Sequence, residues 1–267
     1  MRMLSATELL GVWERGGVQG PIEQALLLLA TACPDTPTDE LARLSIGQRD
    51  HALLRLREST FGRAIFSMTS CPKCGEQLEL EFDAAGLCPE SASSETSIAR
   101  QATTDDIFSL VIEGYTLRFR PANSVDLSAL ADSPDSINNK NHDSDRNNNA
   151  LKVRTSLLER CILTAHRDGA AVALRSLPDT VVGAISNRMA EVDPYADLQL
   201  SATCPACSNR WPALFDVVSY FWDEIDCWAR RVLHEVHLLA HAYGWSEQDI
   251  LNLSPLRRQC YLDMVSA

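Results

Sequence analysis

Two short runs, Cys71-Pro-Lys-Cys74-Gly and Cys204-Pro-Ala-Cys207-Ser, constrain this chain more than any other feature. Each is a Cys-x-x-Cys with proline after the first cysteine and a small residue after the second. That spacing turns two thiolates toward one centre while the backbone wraps round them. Two such pairs supply four soft donors, the number and type that a structural zinc ion takes in tetrahedral geometry. About 130 residues separate the pairs, so the expected site is a clasp between distant parts of one fold rather than a local finger. Loop-closure entropy grows only with the logarithm of loop length, so closing so long a loop costs little more than closing a shorter one.

A single Cys-x-x-Cys also suits a redox pair or a thioredoxin-type site, or arises by chance. Two near-identical copies in strand-like surroundings favour the metal. The first lies between Ala64-Ile-Phe-Ser-Met-Thr69 and Gln77-Leu-Glu-Leu-Glu-Phe82, and the latter alternates apolar and polar residues as a half-buried strand does. The second follows Leu198-Gln-Leu-Ser-Ala-Thr203 and runs on to Trp211. With Cys71, Cys74, Cys204 and Cys207 as ligands no coordination position stays open, so the expected zinc is structural rather than catalytic. Zinc-finger peptides draw on the order of 10–16 kcal/mol from such binding, more than the net stability of most domains.

The formal net charge is −12, from 24 Lys and Arg against 36 Asp and Glu. Zinc ribbons often bind DNA or RNA, but phosphate contacts need a concentration of basic residues. The two knuckles carry only Lys73 and Arg210, with Glu76, Glu79 and Glu81 alongside, which argues against a nucleic-acid partner. The other five cysteines, Cys33, Cys88, Cys161, Cys227 and Cys260, show no framework spacing; metal-bound and free thiols suit a reducing compartment. The run Ala25-Leu-Leu-Leu-Leu-Ala-Thr-Ala-Cys33 superficially resembles a lipoprotein signal, yet it starts late, is short and follows Glu23 without a positive flank. A core helix opened by Gly20-Pro21 accounts for it better. No segment is long enough to span a bilayer, and the expected location is cytoplasmic, with incorporation into a particle as an option.

Read in order, the expected fold class is α+β and mostly helical. Residues 1–62 form a helical segment: capping boxes at Ser5-Ala-Thr-Glu8 and Ser45-Ile-Gly-Gln48 start helices, Pro21 and Thr38 open two more, and Gly62 closes the last. Residues 63–131 hold the first knuckle and a β-hairpin, Ile107–Ile112 and Tyr115–Arg120 around Glu113-Gly114, followed by a short helix from Asn123. Residues 132–150, rich in Asp, Asn and Ser, are expected to be an unordered surface insertion, because they have too little apolar surface to bury. Residues 151–212 carry a helix to Thr164, another from Pro178 to Val192, and the second knuckle. Residues 213–267 form a C-terminal arm: a long helix from about Asp216 to Tyr243 stopped by Gly244, then short helices after Ser246 and Ser254. Residues 63–212 are expected to make one zinc-clasped domain.

Other candidates for chemistry are weaker. The run His234-Glu-Val-His-Leu-Leu-Ala-His241 resembles a metalloprotease helix, but that motif needs Glu directly after the first His of the i, i+4 pair, and here Leu238 follows His237. On a helix Val218, Ile225, Trp228, Val232, Val236, Leu239 and Tyr243 form one stripe, leaving His234, His237 and His241 with Asp223, Asp226 and Arg230 on a solvated or partner-facing side. Cys161 and His166 read as a buried thiol and its neighbour rather than an activated pair. Trp211, Phe215, Phe221, Trp222, Trp228 and Trp245 read mainly as core, with partner anchoring as the alternative. No phosphate-binding loop, dinucleotide fingerprint or nucleophile elbow occurs, and no catalytic residues are expected.

Two longer segments carry a family resemblance. The ending Tyr243-Gly-Trp-Ser-Glu-Gln-Asp-Ile-Leu-Asn-Leu-Ser-Pro-Leu-Arg-Arg-Gln-Cys-Tyr-Leu262 resembles those of tailed-phage tail and baseplate assembly proteins. Leu44-Ser-Ile-Gly-Gln-Arg-Asp-His51 and the paired Cys-Pro-x-Cys knuckles are similar to baseplate proteins of the T-even hub-assembly type, with relatives in phage-tail-like contractile injection systems. The resemblance implies an assembly role and transfers no catalytic residues. The expected partners are baseplate, hub or tube proteins, bound transiently by an accessory or chaperone-like factor. The rivals are a permanent structural subunit, found in the assembled particle, and a zinc-dependent hydrolase or nuclease, which would need an open metal position.

Overall fold

The computed structural model describes residues 1–83, 87, 106–132 and 143–265. Four helices come first: α1 (Ala6–Gly16), α2 (Pro21–Ala32), α3 (Thr38–Arg43) and α4 (Ile46–Phe61). Both expected capping boxes form, with the Ser5 and Ser45 hydroxyls accepting from the Glu8 and Gln48 N–H groups. Pro21 stands at the first turn of α2, whose Ala25, Leu28, Leu29 and Ala32 are buried; the apolar run ending at Cys33 is thus a core helix. Gly62, at φ 92°, ends α4 and turns the chain into the antiparallel pair β1 (Ala64–Ser70) and β2 (Gln77–Asp83).

The next unit holds a larger sheet than the sequence reading anticipated. β3 (Phe108–Ile112) and β4 (Tyr115–Phe119) are the expected hairpin, with Glu113 and Gly114 at φ 49° and 78° in its turn. After α5 (Ser124–Ala131), helix α6 (Asp143–Cys161) ends three residues short of the expected Thr164. Strand β5 (Ile162–Arg167) follows directly and pairs with β4, and β6 (Ala170–Ala171) completes a sheet in the order β3-β4-β5-β6. β-Branched Ile162 and Thr164 suit a strand, and the edge of β4 supplies the partner; tertiary pairing overrides the helical spacing. Asp168 and Gly169, at φ 51° and 85°, make a second two-residue turn of the Asp-Gly kind that favours hairpins. Helix α6 also begins inside the stretch expected to be unordered, since residues 143–150 are helical. Extending an amphipathic helix is far easier than nucleating one. Residues 133–142 of that stretch lie outside the described residues. Helix α7 (Asp179–Val192) covers the sheet with Val181 and Ile185.

The strands β7 (Gln199–Thr203) and β8 (Arg210–Leu214) form the second knuckle hairpin, and the chain then enters α8 (Val217–Tyr243), α9 (Glu247–Leu251) and α10 (Pro255–Val265). Asp216 caps α8 and Gly244, left-handed at φ 67°, stops it. The fold is therefore α+β and mostly helical. Among the described residues three large cores organise it, beside the small cluster around Cys71 and Cys204. One joins α1, α2 and α4 to the first half of α8 and to the roots of both knuckle hairpins, through Ile65, Leu198, Phe215 and Phe221. A second lies between the four-stranded sheet and α7, and a third joins the far half of α8 to α1, α9 and α10. The expected single unit over residues 63–212 does not follow these cores. Both hairpins pack with the N-terminal helices, while the sheet between them in sequence has a core of its own.

Candidate metal centre

Each knuckle is built by the same local hydrogen bonds. In the first, the Cys71 N–H donates to the Glu76 carbonyl at 2.8 Å and the Gly75 N–H to the Cys71 carbonyl at 2.9 Å. In the second, the Cys204 N–H donates to the Asn209 carbonyl and the Ser208 N–H to the Cys204 carbonyl, both at 2.9 Å. Closing the turn requires a positive φ at the residue after the second cysteine. Gly75 supplies it at 77° without steric cost, and Ser208 supplies it at 56° against the preference of its Cβ.

The two turns meet tip to tip. Cys71 Sγ lies 3.6 Å from Cys207 Sγ and Cys74 Sγ lies 3.5 Å from Cys204 Sγ. All four sulfurs fall within 4.8 Å of one another, and none is in a disulfide. A zinc ion with Zn–S bonds of about 2.3 Å sets its ligand sulfurs about 3.8 Å apart, so the donor set fits a tetrahedral ion in spacing as well as in softness. Cys71 and Cys204 are buried, and Leu78 and the half-buried Trp211 wall the cluster. This is the juxtaposition expected from the paired motifs. Among the described residues it is also the one group of three or more potential ligands in mutual reach.

The two thiols of the first knuckle are shifted in opposite directions. Burial works to raise the pKa of Cys71, but the N–H groups of Cys74 and Lys73 and the neighbouring thiols overcome it and bring the value to about 6. Cys74 goes the other way. The Glu76 N–H draws it down, yet Cys204, Cys207, burial and Cys71 together push it up to about 12. A cation held by Cys71, Cys74, Cys204 and Cys207 would favour the thiolate at each ligand.

The remaining candidates stay apart from this centre. His234, His237 and His241 are exposed on α8, with the last two rings stacked 6.4 Å apart. Val218, Ile225, Val232, Val236 and Leu239 of the opposite stripe are buried, while Tyr243 at its end is exposed. Asp226, expected on the solvated side, accepts from the Trp13 ring nitrogen at 2.8 Å and pairs with Arg230. Cys161 is fully buried at the end of α6, and burial pushes its thiol up to about 12, which makes it inert. Of the aromatic group, Phe215 and Phe221 are buried and Trp222, Trp228 and Trp245 are half-buried against the cores. Cys88 lies outside the described residues.

A positioning network escaped the sequence reading. Arg57 of α4 is buried, and its guanidinium grips Glu224 of α8 at 2.6 and 2.8 Å while donating to the Gly62 and Ala64 carbonyls. The Tyr220 hydroxyl accepts from the Phe66 N–H at 3.2 Å and donates to Glu224 at 3.1 Å. The root of the first hairpin is thereby tied to the helix that leaves the second. The signal was present in the sequence: Arg57 stands four residues from both Leu53 and Phe61, on the apolar side of its helix.

Fold and centre together define a class: a helical scaffold in which two remote hairpins are joined by a four-cysteine site with the geometry of a structural metal centre. The chain belongs to the family described as T4 bacteriophage base plate protein, whose model matches residues 5–222. The match includes all four cysteines and ends six residues into α8, so the C-terminal ending that resembled baseplate proteins lies beyond it. No curated protein and no solved structure matches the chain significantly. Family membership carries a baseplate-associated role and other baseplate proteins as partners. Among the described residues no helix is long and apolar enough to cross a membrane.

Proposed function

We propose that this chain is a non-enzymatic accessory protein for baseplate or hub assembly, in a phage tail or a contractile injection system. It works by protein–protein binding on a scaffold held by one structural zinc ion. The observation that carries the reading is the family match over residues 5–222, which takes in the helical core and both halves of the cysteine cluster. Four thiolates would fill the coordination shell of zinc and leave no position for a substrate. The ion's contribution is then to fix how the two hairpins sit on the N-terminal helices and α8, and so to hold the surfaces that partners recognise.

The test is co-purification of the tagged chain from cells carrying the complete tail or injection gene set, with metal content measured on the same sample. One zinc per chain and a baseplate, hub or tube subunit in stoichiometric amount are expected, with the chain missing from purified mature particles. Presence of the chain in those particles would make it a permanent subunit. Failure to bring down any such subunit would overturn the assembly role.

A further inference from the structure

The two knuckle hairpins share a turn and a cluster but differ on their outer faces. On the first, the register sets Phe66 opposite Glu81 and Met68 opposite Glu79, all four exposed. Phe66 is 52% and Met68 65% exposed. Across the pleat Ile65 and Leu78 are buried, so the core makes no demand on these outer positions. An apolar row on β1 therefore runs beside an acidic row on β2, about 5 Å away. Asp83 at the end of the acidic row pairs with Arg63 at 3.4 Å. Among the described residues Glu79 and Glu81 have no cationic partner, and as neighbours on one face they repel each other.

The second hairpin shows that a knuckle does not require such a face. Its outer positions are Gln199, Ser201, Thr203, Arg210, Pro212 and Leu214, with one charge among them. Two large apolar side chains and two unbalanced carboxylates on a single small sheet form a surface whose complement is specific: an apolar patch edged by lysine or arginine. We infer that the outer face of the β1–β2 hairpin is a docking surface, and that its occupant is an apolar patch edged by lysine or arginine on another baseplate protein. The charge of the whole chain, −12, works in the same direction by steering a basic partner toward it. This inference rests on the assembly role proposed above and names the face that performs it.

The experiment uses the full-length, metal-loaded chain in the complex recovered by co-purification. Zero-length carbodiimide coupling should join Glu79 or Glu81 to lysines of the bound subunit. The double variant Glu79→Lys/Glu81→Lys should retain at least tenfold less of that subunit, and Phe66→Ser/Met68→Ser should do the same. Glu79→Gln/Glu81→Gln, which removes charge without reversing it, should give an intermediate loss. Zinc content and the thermal midpoint of each variant should match the wild type, since none of these side chains reaches a core. Full retention by both the lysine and the serine variants, with coupling mapped to other carboxylates, would overturn the inference and leave the assembly role intact. A wild-type chain that recovers no subunit would overturn both.

Discussion

The two knuckles are near-copies at the metal end and unlike everywhere else. The first is clamped at its root by Arg57, Tyr220 and Glu224 and carries an acidic, apolar outer face. The second has neither; its β8 strand runs into the cap of α8 through Phe215, whose N–H donates to the Leu198 carbonyl. One hairpin is thus held by side chains from a remote helix and the other by its own continuation into that helix. The difference teaches that the clasp needs only the turn. What lies behind the turn is free to be a tether on one side and a direct splice into the scaffold on the other.

The strongest way to break this comparison is to remove one sulfur from each side. On the proposed single-zinc site, Cys71→Ser and Cys204→Ser should be equally damaging, each losing stoichiometric zinc and at least about 5 kcal/mol of stability. Metal analysis and urea unfolding would read this, and a variant that kept half its metal would point to two separate sites. Chelation or acidification should act in the same way. Protons compete with the cation for thiolates, so affinity should fall steadily as pH is lowered, followed by metal release against a colorimetric chelator.

A smaller effect is expected at the tether. Arg57→Ala leaves Glu224 partly buried without its partner and should cost about 3 kcal/mol. Hydrogen exchange should rise in residues 64–83 while residues 199–214 keep their protection. Equal loosening of both hairpins would show that the tether serves the whole scaffold. The smallest effect concerns the turn itself. Ser208→Gly should stabilise by about 0.5–1 kcal/mol, since it relieves a left-handed serine, and Gly75→Ser should destabilise by about 1 kcal/mol. A Cβ at Gly75 would meet nothing within 4 Å, so the second change isolates backbone strain. Thermal midpoints measured with zinc bound would check both signs.

What the sequence disclosed was local. The cysteine spacing, the capping boxes at Ser5 and Ser45, the Glu113-Gly114 turn and the stop at Gly244 are patterns a few residues long, and each stands where it was expected. The β5–β6 hairpin was hidden because the apolar spacing from Leu157 onward runs as a helix would into Ile162 and Thr164. The partner that makes those residues a strand is β4, more than forty residues earlier. The division into cores was hidden for the same reason. Nothing near Leu198 or Phe215 states that they pack with Leu28 and Leu53. Arg57 shows a third kind of blindness: a charge on an apolar face is visible, but its partner Glu224 lies 167 residues away.

Helix α8 begins where the second hairpin ends, takes the Arg57 tether at Glu224 about two turns later and runs 27 residues to the C-terminal arm. At 1.5 Å per residue it is a strut of about 40 Å. A tilt of about 5° at the cysteine end would swing the far tip through about 3.5 Å, enough to shift one layer of side chains against another. Whatever sets the angle between the hairpins therefore also sets where Trp245, Tyr261 and the last helix point, which makes the four-cysteine cluster the pivot of a lever rather than a local rivet.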